Sequence, residues 1–498
     1  MLELSLPPPQ AELNAPQDVI TCKFRETDKK SSQSNSLFQL YHTDDATEAW
    51  LPDCIAMDDA QFAVVSSIFT LGGLIGALCA GPLSTAKGRA LTMRLSAIFY
   101  VLGSAIASLA PSIFFLSAGR FLSGIGAGAS VVVVPIYISE VAPPSERGLF
   151  GFLTQILTNL GILFTQVLGY WLSYEMWWRL ILAIGGFVAL ILLVALVFVP
   201  ESPAWTATNR DPHTAMRVLQ RIRGRNTDIS EEVASWDVTI RSRSPTPHLS
   251  EATVGLLDPE DRPSSRGSKY SSRSGGSSKE SVGFFAVASN PLYNRAILAV
   301  VGIMLIQQLT GINSVMMYSV SMLSGVFPGT SALLTIVISI VNLFATIAAS
   351  PLPDTLGRKR SLLVSSCGLG LASLGLGFSL LFNMKWLSAA SVILFVAFFA
   401  MGLGPIPFLI ASELVGTEAK GATQSWCLAT NWIGTYLVAQ FFPILNNAIN
   451  DKLGGQGYVY FIFAAVAAVG VAFIGGYVPE TKGKRDADEV WGRTRRVD

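Results

Sequence analysis

The chain has 498 residues, of which 51% are hydrophobic and 14% charged, and its mean hydropathy is +0.48. A soluble domain carries about 25% charged residues, so this composition excludes an ordinary soluble protein and predicts a polytopic membrane protein with the lipid bilayer as its surroundings. A formal charge of +1 supplies no global basic field, and nucleic acid is not an expected partner.

Residues 1–58 form a polar N-terminal segment without an apolar core long enough for a cleavable signal peptide. Cys22 and Cys54 fall in it. They are candidates for a disulfide if the segment faces outward, and two free thiols are the alternative. Runs able to cross roughly 30 Å of hydrocarbon follow at 60–82, 92–110, 113–138, 150–173 and 178–199. After a long polar break they resume at 294–323, 331–352, 362–382, 387–411, 424–446 and 458–478. The expected organisation is an N-terminal bundle over 59–200, a cytoplasmic loop over 201–290, a C-terminal bundle over 291–480 and a cytoplasmic tail over 481–498. Within the loop, AMRVLQRIRG and EEVASW predict short amphipathic helices, and 241–281, rich in Ser, Arg, Pro and Gly, reads as disordered. The three histidines (His42, His213, His248) lie in polar segments, which leaves no intramembrane histidine relay, and no cysteine or histidine cluster suggests a metal site.

Three motifs occur twice, in one order. GPLSTAKGRA (81–90), ISEVAPPSERG (138–148) and PESPAW (200–205) return as PLPDTLGRKR (351–360), ASELVGTEAKG (411–421) and PETKGK (479–484). Arg89 and Arg358 are 269 residues apart, Glu140 and Glu413 are 273 apart, and Pro200 and Pro479 are 279 apart. Internal duplication of this kind builds many transporters. Basic residues concentrate in the motif-bearing loops, which places those loops and the C-terminus on the cytoplasmic side. Six spans follow the central break and five precede it, so the duplication predicts a further helix ahead of the first visible one. With eleven spans and an inside C-terminus, residues 1–58 face outward.

Several strings resemble the sugar porter family of the major facilitator superfamily: GRFLSGIGAGASVVVVPIYISEVAPPSERG (119–148), QQLTGINSVMMYS (307–319), DTLGRKR (354–360), GPIPF (404–408) and PETKG (479–483). AELNAPQDVITC (11–22) is similar to the stretch after that family's first helix in fungal vacuolar protein sorting-associated members, while residues 1–10 do not match the family. The resemblance covers about 11–490. It implies an all-α fold of two pseudo-symmetric helix bundles, a monomer, alternating access and no enzymatic activity. It implies no cofactor. Proton coupling stays open, because the acidic residue used by proton-coupled relatives lies in the first helix.

Charged residues at the motif ends of the helices are expected to latch the two bundles together when the pathway closes inward. They are Arg89, Glu140, Arg147 and Glu201 in the first half, and Asp354, Arg358, Glu413, Lys420 and Glu480 in the second. Thr85 stands where the family has an acid, Ala204 where it has arginine, and Lys420 where arginine is usual. These departures predict a weaker first-half latch and an inward-open bias.

Amides within a span are costly unless buried or facing a cavity. Gln155, Gln307, Gln308, Asn313, Asn342 and Asn431 are such amides; each offers donor and acceptor, which suits the hydroxyls of a neutral sugar, and each matches a sugar-contacting position of the family. Helix–helix adhesion is the competing role for these amides. Phe408 and Trp432 add aromatic faces. Ala400, where glucose-carrying relatives have glutamate, and Phe408, where they have tryptophan, predict altered affinity or a different monosaccharide or polyol. Gly402, Gly404, Pro405 and Pro407 predict a helix break beside the site, and Gly72, Gly76, Gly124, Gly126 and Gly128 predict close helix contacts. Arg120 is expected near a helix end, snorkelling. Two functions remain from the sequence: transport of a hexose or related polyol across a plasma or vacuolar membrane, or a non-transporting sugar sensor or trafficking-linked protein.

Overall fold

The computed structural model describes residues 13, 16–22, 51–143, 147–224, 229, 233, 284–324, 331–415, 419–484 and 487–492, with side chains except at 147–149, 151–152, 284–286, 319–324 and 331–332. The insert at 241–281 lies outside these residues, as does EEVASW apart from Val233.

Each of the eleven apolar runs is helical. The first half contains α1 (Asp59–Lys87), α2 (Arg89–Ser108), α3 (Ile113–Val141), α4 (Arg147–Leu172) and α5 (Trp178–Phe198). Two short helices follow, α6 (Pro203–Asn209) and α7 (Pro212–Arg223). The second half contains α8 (Pro291–Leu309), α9 (Ile312–Ser324), α10 (Ser331–Ala349), α11 (Leu352–Leu356), α12 (Arg358–Leu381), α13 (Lys385–Met401), α14 (Ile406–Glu413), α15 (Lys420–Leu453) and α16 (Val459–Tyr477). No strand occurs among the described residues. Among the described residues, eight helices or broken helix pairs are long and apolar enough to cross a membrane. The protein is an all-α, multi-pass integral membrane protein.

Local chemistry explains where helices start and break. Asp58 opens α1 with a reciprocal capping box: its carboxylate accepts from the Gln61 N–H at 2.7 Å, and the Gln61 side chain accepts from the Asp58 N–H at 3.1 Å. The run at 387–411 breaks after Met401, as its Gly-Pro content predicts. The run at 294–323 reads as continuous, yet it breaks at Thr310–Gly311, where Gly311 takes φ +90°. A left-handed residue cannot extend an α-helix, and only glycine adopts that conformation cheaply.

The duplication is visible in the packing. In the first half α2 packs on α3 and α5, and α1 on α3; in the second α12 packs on α13 and α16, and α10 on α13. Two seams join the halves, α1 against α15 and α10 against α4. These seams are mates: α1 corresponds to α10, and α4 to α15. The α1–α3 contact is backbone to backbone. A Cβ on Gly72, Gly76, Gly124 or Gly128 would strike the carbonyl of Phe121, Ile125, Phe69 or Gly73 respectively, and one on Gly126 would strike that of Ser96.

The end opposite the duplicated motifs is tied by the N-terminal segment. Cys22 and Cys54 are disulfide-bonded with Cα atoms 5.4 Å apart, and the Ile55 N–H donates to the Ile20 carbonyl at 2.8 Å. Trp178 Nε1 donates to the Asp53 carbonyl at 2.8 Å, and Arg179 donates to the carbonyls of Pro52, Ser108 and Ala110 at 2.9, 3.0 and 2.7 Å. One guanidinium thereby satisfies the last carbonyl of α2 and two loop carbonyls.

Residues 1–201 and 282–498 make one compact unit, and 202–281 a second. In the second unit, the Ser202 hydroxyl caps α6 by accepting from the Trp205 N–H, and Asp211 caps α7 by accepting from the N–H groups of His213 and Thr214 at 3.2 and 3.1 Å. The His213 N–H, followed by the Thr214 hydroxyl, holds the Asp211 carboxyl below the ordinary aspartate range.

Two stability predictions arise here. Gly128→Leu forces α1 and α3 apart and should cost on the order of 2–3 kcal/mol, read as a lower melting temperature in detergent. The Cys22–Cys54 bond closes a loop with a sequence separation of 32, so a Cys22→Ser/Cys54→Ser variant should lose about 3 kcal/mol; an unchanged melting temperature would count against that role.

Candidate functional site

The three repeated motifs converge on one helix start in each half. Gly88 and Gly357 precede α2 and α12 with φ +106° and +97°. At both positions a Cβ would run into a carboxylate, that of Glu201 or of Glu480. Those carboxylates cap the helices from a distant part of the chain. Glu201 accepts from the N–H groups of Arg89 (2.8 Å) and Ala90 (3.1 Å); Glu480 accepts from those of Arg358 (2.9 Å) and Lys359 (3.2 Å). The positive end of the helix and its unpaired N–H groups make this a favourable carboxylate site.

The arginine that starts each helix then reaches sideways. Arg89 meets Glu140 through Nε (3.0 Å) and Nη2 (2.8 Å), and its Nη1 donates to the Ser84 carbonyl at 2.8 Å. Arg358 meets Glu413 through Nε (3.2 Å) and Nη2 (3.1 Å), and its Nη1 donates to Asp354 at 2.8 Å. The Thr481 hydroxyl takes the other Glu413 oxygen. Both ion pairs stay within their own half. In this structure they make no bundle-to-bundle latch: the arginine sits at a helix start beside the end of the neighbouring helix of the same bundle, so that glutamate is within reach.

The expected weakness of the first-half network is also corrected in part. The Thr85 hydroxyl donates to the Gly81 carbonyl at 3.1 Å, where the second half has the Asp354–Arg358 pair at 2.8 Å. That pair is solvent-facing, with the Asp354 side chain 76% exposed, and such pairs contribute about 0.5 kcal/mol. The central pair is the closer one in the first half, at 2.8 Å against 3.1 Å. Lys420 starts α15 and is exposed. Arg147 starts α4, and its side chain lies outside the described residues.

The intramembrane amides form two clusters. In the second half, Gln307 Nε2 donates to the carbonyls of Leu403 and Gly404, the latter at 3.1 Å. Gln308 Nε2 and Asn431 Nδ2 both donate to Gln307 Oε1 at 3.1 Å. Asn313 Nδ2 donates to Gln308 Oε1 and, at 3.1 Å, to the Thr435 hydroxyl, which itself donates to Gln308 Oε1 at 3.1 Å. The acceptors Leu403 and Gly404 belong to the break between α13 and α14, whose freed carbonyls need partners. Ser365 on α12 holds the same break, accepting from the Leu403 N–H at 2.9 Å. The break is therefore wired to the amide cluster on one side and to α12 on the other.

The second cluster lies on the α4–α10 seam and contains Gln155 and Asn342, with Asn159 between them. Trp432 sits on the other seam, its ring against Gly73 and 6.3 Å edge-to-face from Phe69. Phe408 is half-buried against the core of the second half. Asn159, Thr346 and Thr435 were missed by sequence reasoning. Asn159 and Thr435 each lie four residues beyond a chosen amide, on the same helix face, which is the signal that could have found them. Arg120 corrects another expectation: it is 1% exposed and lies 5.1 Å from the Phe69 ring centroid. Helix packing encloses it, so it does not snorkel.

A family profile described as "Sugar (and other) transporter" matches residues 10–487. The chain belongs to that family. Its members are transporters and not enzymes. Two relatives come from Saccharomyces cerevisiae: a "Probable metabolite transport protein", 31% identical over 97% of this chain and 91% of the relative, and "Vacuolar protein sorting-associated protein 73", 30% identical over 95% and 90%. The "Glucose transporter GlcP" of Staphylococcus epidermidis is 28% identical over 88% and 89%. The inward-open xylose transporter XylE of E. coli superposes with a TM-score of 0.69 at 21% identity, covering 99% of this chain and 98% of that one, and shows the shared fold.

The trans-caps are open to test. Glu201→Gln and Glu480→Gln keep an acceptor but remove charge from the helix start, and each should lower stability by about 1 kcal/mol. Glu201→Ala and Glu480→Ala should cost more, because they leave N–H groups unpaired; equal melting temperatures for the Gln and Ala forms would refute the capping role.

Proposed function

We propose that this protein moves a neutral hexose or related monosaccharide or polyol across a plasma or vacuolar membrane by alternating access between its two halves. The observation that carries the reading is an uncharged network of amides and hydroxyls within the spans, Gln307, Gln308, Asn313, Asn431 and Thr435, tied to the break between α13 and α14. On the same helix as Asn431, Trp432 Nε1 is buried and has no hydrogen-bond partner among the described residues. A buried N–H without a partner is costly, and a ligand hydroxyl arriving there would remove that cost. The cluster contains no charged side chain, which suits a neutral polyol better than an acid or an amine.

The inter-half contacts support a two-state mechanism. Asn447 donates to Asp59 at 3.2 Å, Ser67 to Gln440 at 2.6 Å, and Thr335 to Gln166 at 3.4 Å, all toward the end opposite the repeated motifs. Phe62 and Tyr318 pack edge-to-face at 6.4 Å in the same region. At the motif end each ion pair serves its own half. Such an arrangement favours a state closed at the outer end and separable at the cytoplasmic end. A relative named for vacuolar protein sorting keeps a trafficking-linked role as the second reading.

The test is counterflow of labelled hexoses, pentoses and polyols into liposomes containing the purified chain. Uptake of at least one is expected, and Gln307→Leu should reduce it by roughly tenfold or more, because it strips both the site and the helix break of a partner. A protonophore that abolishes uptake against a gradient identifies proton symport; indifference to it identifies facilitated diffusion. A folded protein that moves none of the sugars would favour the trafficking-linked role.

A further inference from the structure

The duplication supplies a ruler for comparing the two seams. At an offset of 269 residues Gly73 of α1 corresponds to Asn342 of α10, and Ala77 to Thr346. At an offset of 273, which also relates the starts of α4 and α15 at Arg147 and Lys420, Asn159 corresponds to Trp432. The same structural place is thus filled in two chemically different ways. On the α1–α15 seam the Trp432 ring fills the space beside Gly73, where there is no side chain. On the α4–α10 seam Asn159 faces Asn342 and Thr346: its Nδ2 donates to the Thr346 hydroxyl at 2.8 Å, and its Oδ1 accepts from Asn342 Nδ2 at 3.4 Å.

Asn159 is 3% exposed and lies midway along α4. Its Oδ1 also accepts from Gln155 Nε2 at 3.4 Å, so it bridges two amides that the sequence marks as sugar-facing. The two contacts to its Oδ1 are long and exchangeable, whereas the one to Thr346 is short. An aromatic face on one side of the pseudo-twofold axis and a carboxamide on the other form a natural pair for a polyol ring, which carries C–H surface and hydroxyls.

We infer that Asn159 is a specificity-determining residue that binds one substrate hydroxyl opposite Trp432. This rests on the transport reading above and extends it to a residue outside the amides already chosen. The arriving hydroxyl donates to Asn159 Oδ1 in place of the long contacts from Asn342 and Gln155, while the Thr346 bond keeps the carboxamide oriented. Because Asn342 belongs to the other half, occupancy of Asn159 by substrate also loosens the α4–α10 seam.

The experiment compares equilibrium binding and uptake of a parent sugar with each of its monodeoxy analogues, for the native chain, Asn159→Val and Asn159→Thr, with melting temperatures measured alongside. For the native chain, removing the hydroxyl that meets Asn159 should weaken binding roughly three- to tenfold. In Asn159→Val the parent sugar should bind that much more weakly, and the penalty for that one deoxy position should vanish while the others persist. Asn159→Thr, which keeps a hydroxyl acceptor, should retain part of the preference and covers the case in which the valine variant does not fold. A uniform loss across all analogues, or an unchanged set of penalties, overturns the inference and leaves transport standing. A native chain that binds none of the sugars overturns both.

Discussion

A carboxylate seated on a helix start is the contact on which the motif end of each half depends. Glu201 and Glu480 come from the segment after the last helix of their halves, yet they satisfy the first N–H groups of α2 and α12. Satisfying these groups with an intramolecular acid fixes three things together. The chain leaving the bundle is anchored, the glycine before the helix is held at positive φ, and the arginine that follows is aimed at the neighbouring glutamate. Backbone donors, one arginine and two acids thereby define a corner that occurs twice.

Between those corners the halves meet along two seams that are equivalent in fold and different in chemistry. At one matching place an aromatic ring lies over a glycine, on a seam that also carries the Ser67–Gln440 and Asn447–Asp59 bonds; at the other stand amides and hydroxyls. Packing of the first kind is short-ranged and sterically specific, and polar contacts of the second kind can exchange partners at little net cost. The asymmetry is local, at the one matching place where a ring on one seam stands against exchangeable amides on the other. The buried Arg120 beside Phe69 places a fixed cation near the α1–α15 seam, where cation–π attraction contributes about 1–2 kcal/mol in a desolvated setting.

Much of this was legible before any coordinates. Long apolar runs dictate helices, because a backbone in lipid must satisfy itself, and each predicted run is helical. The repeated motifs gave the correspondence between halves, and the Gly-Pro cluster at 402–407 gave one break. The Gly311 break was not legible, since TG inside an apolar run carries little signal and the Phe463 ring that leaves no room for a Cβ there is far away in sequence. Arg89, Glu140, Arg358 and Glu413 were legible as one charged group but not their pairing: a motif says which charges attract, and only the fold says which helix each is nearest. Asn159 was passed over for a similar reason. Its importance comes from the helix it faces, and α10 is far away in sequence.

Consider Gln307 as a set of valences. Its two amide hydrogens go to the carbonyls of Leu403 and Gly404, and its oxygen accepts from Gln308 and Asn431. No position on this side chain is vacant. A ligand reaching for it can only take a bond already in use, and the bonds in use include those that hold the broken helix α13–α14 closed. Under the proposed transport function, recognition and mobility at this point are one exchange reaction. Its free-energy change is small because the number of bonds is conserved, which suits a site that must release what it binds as readily as it captures it.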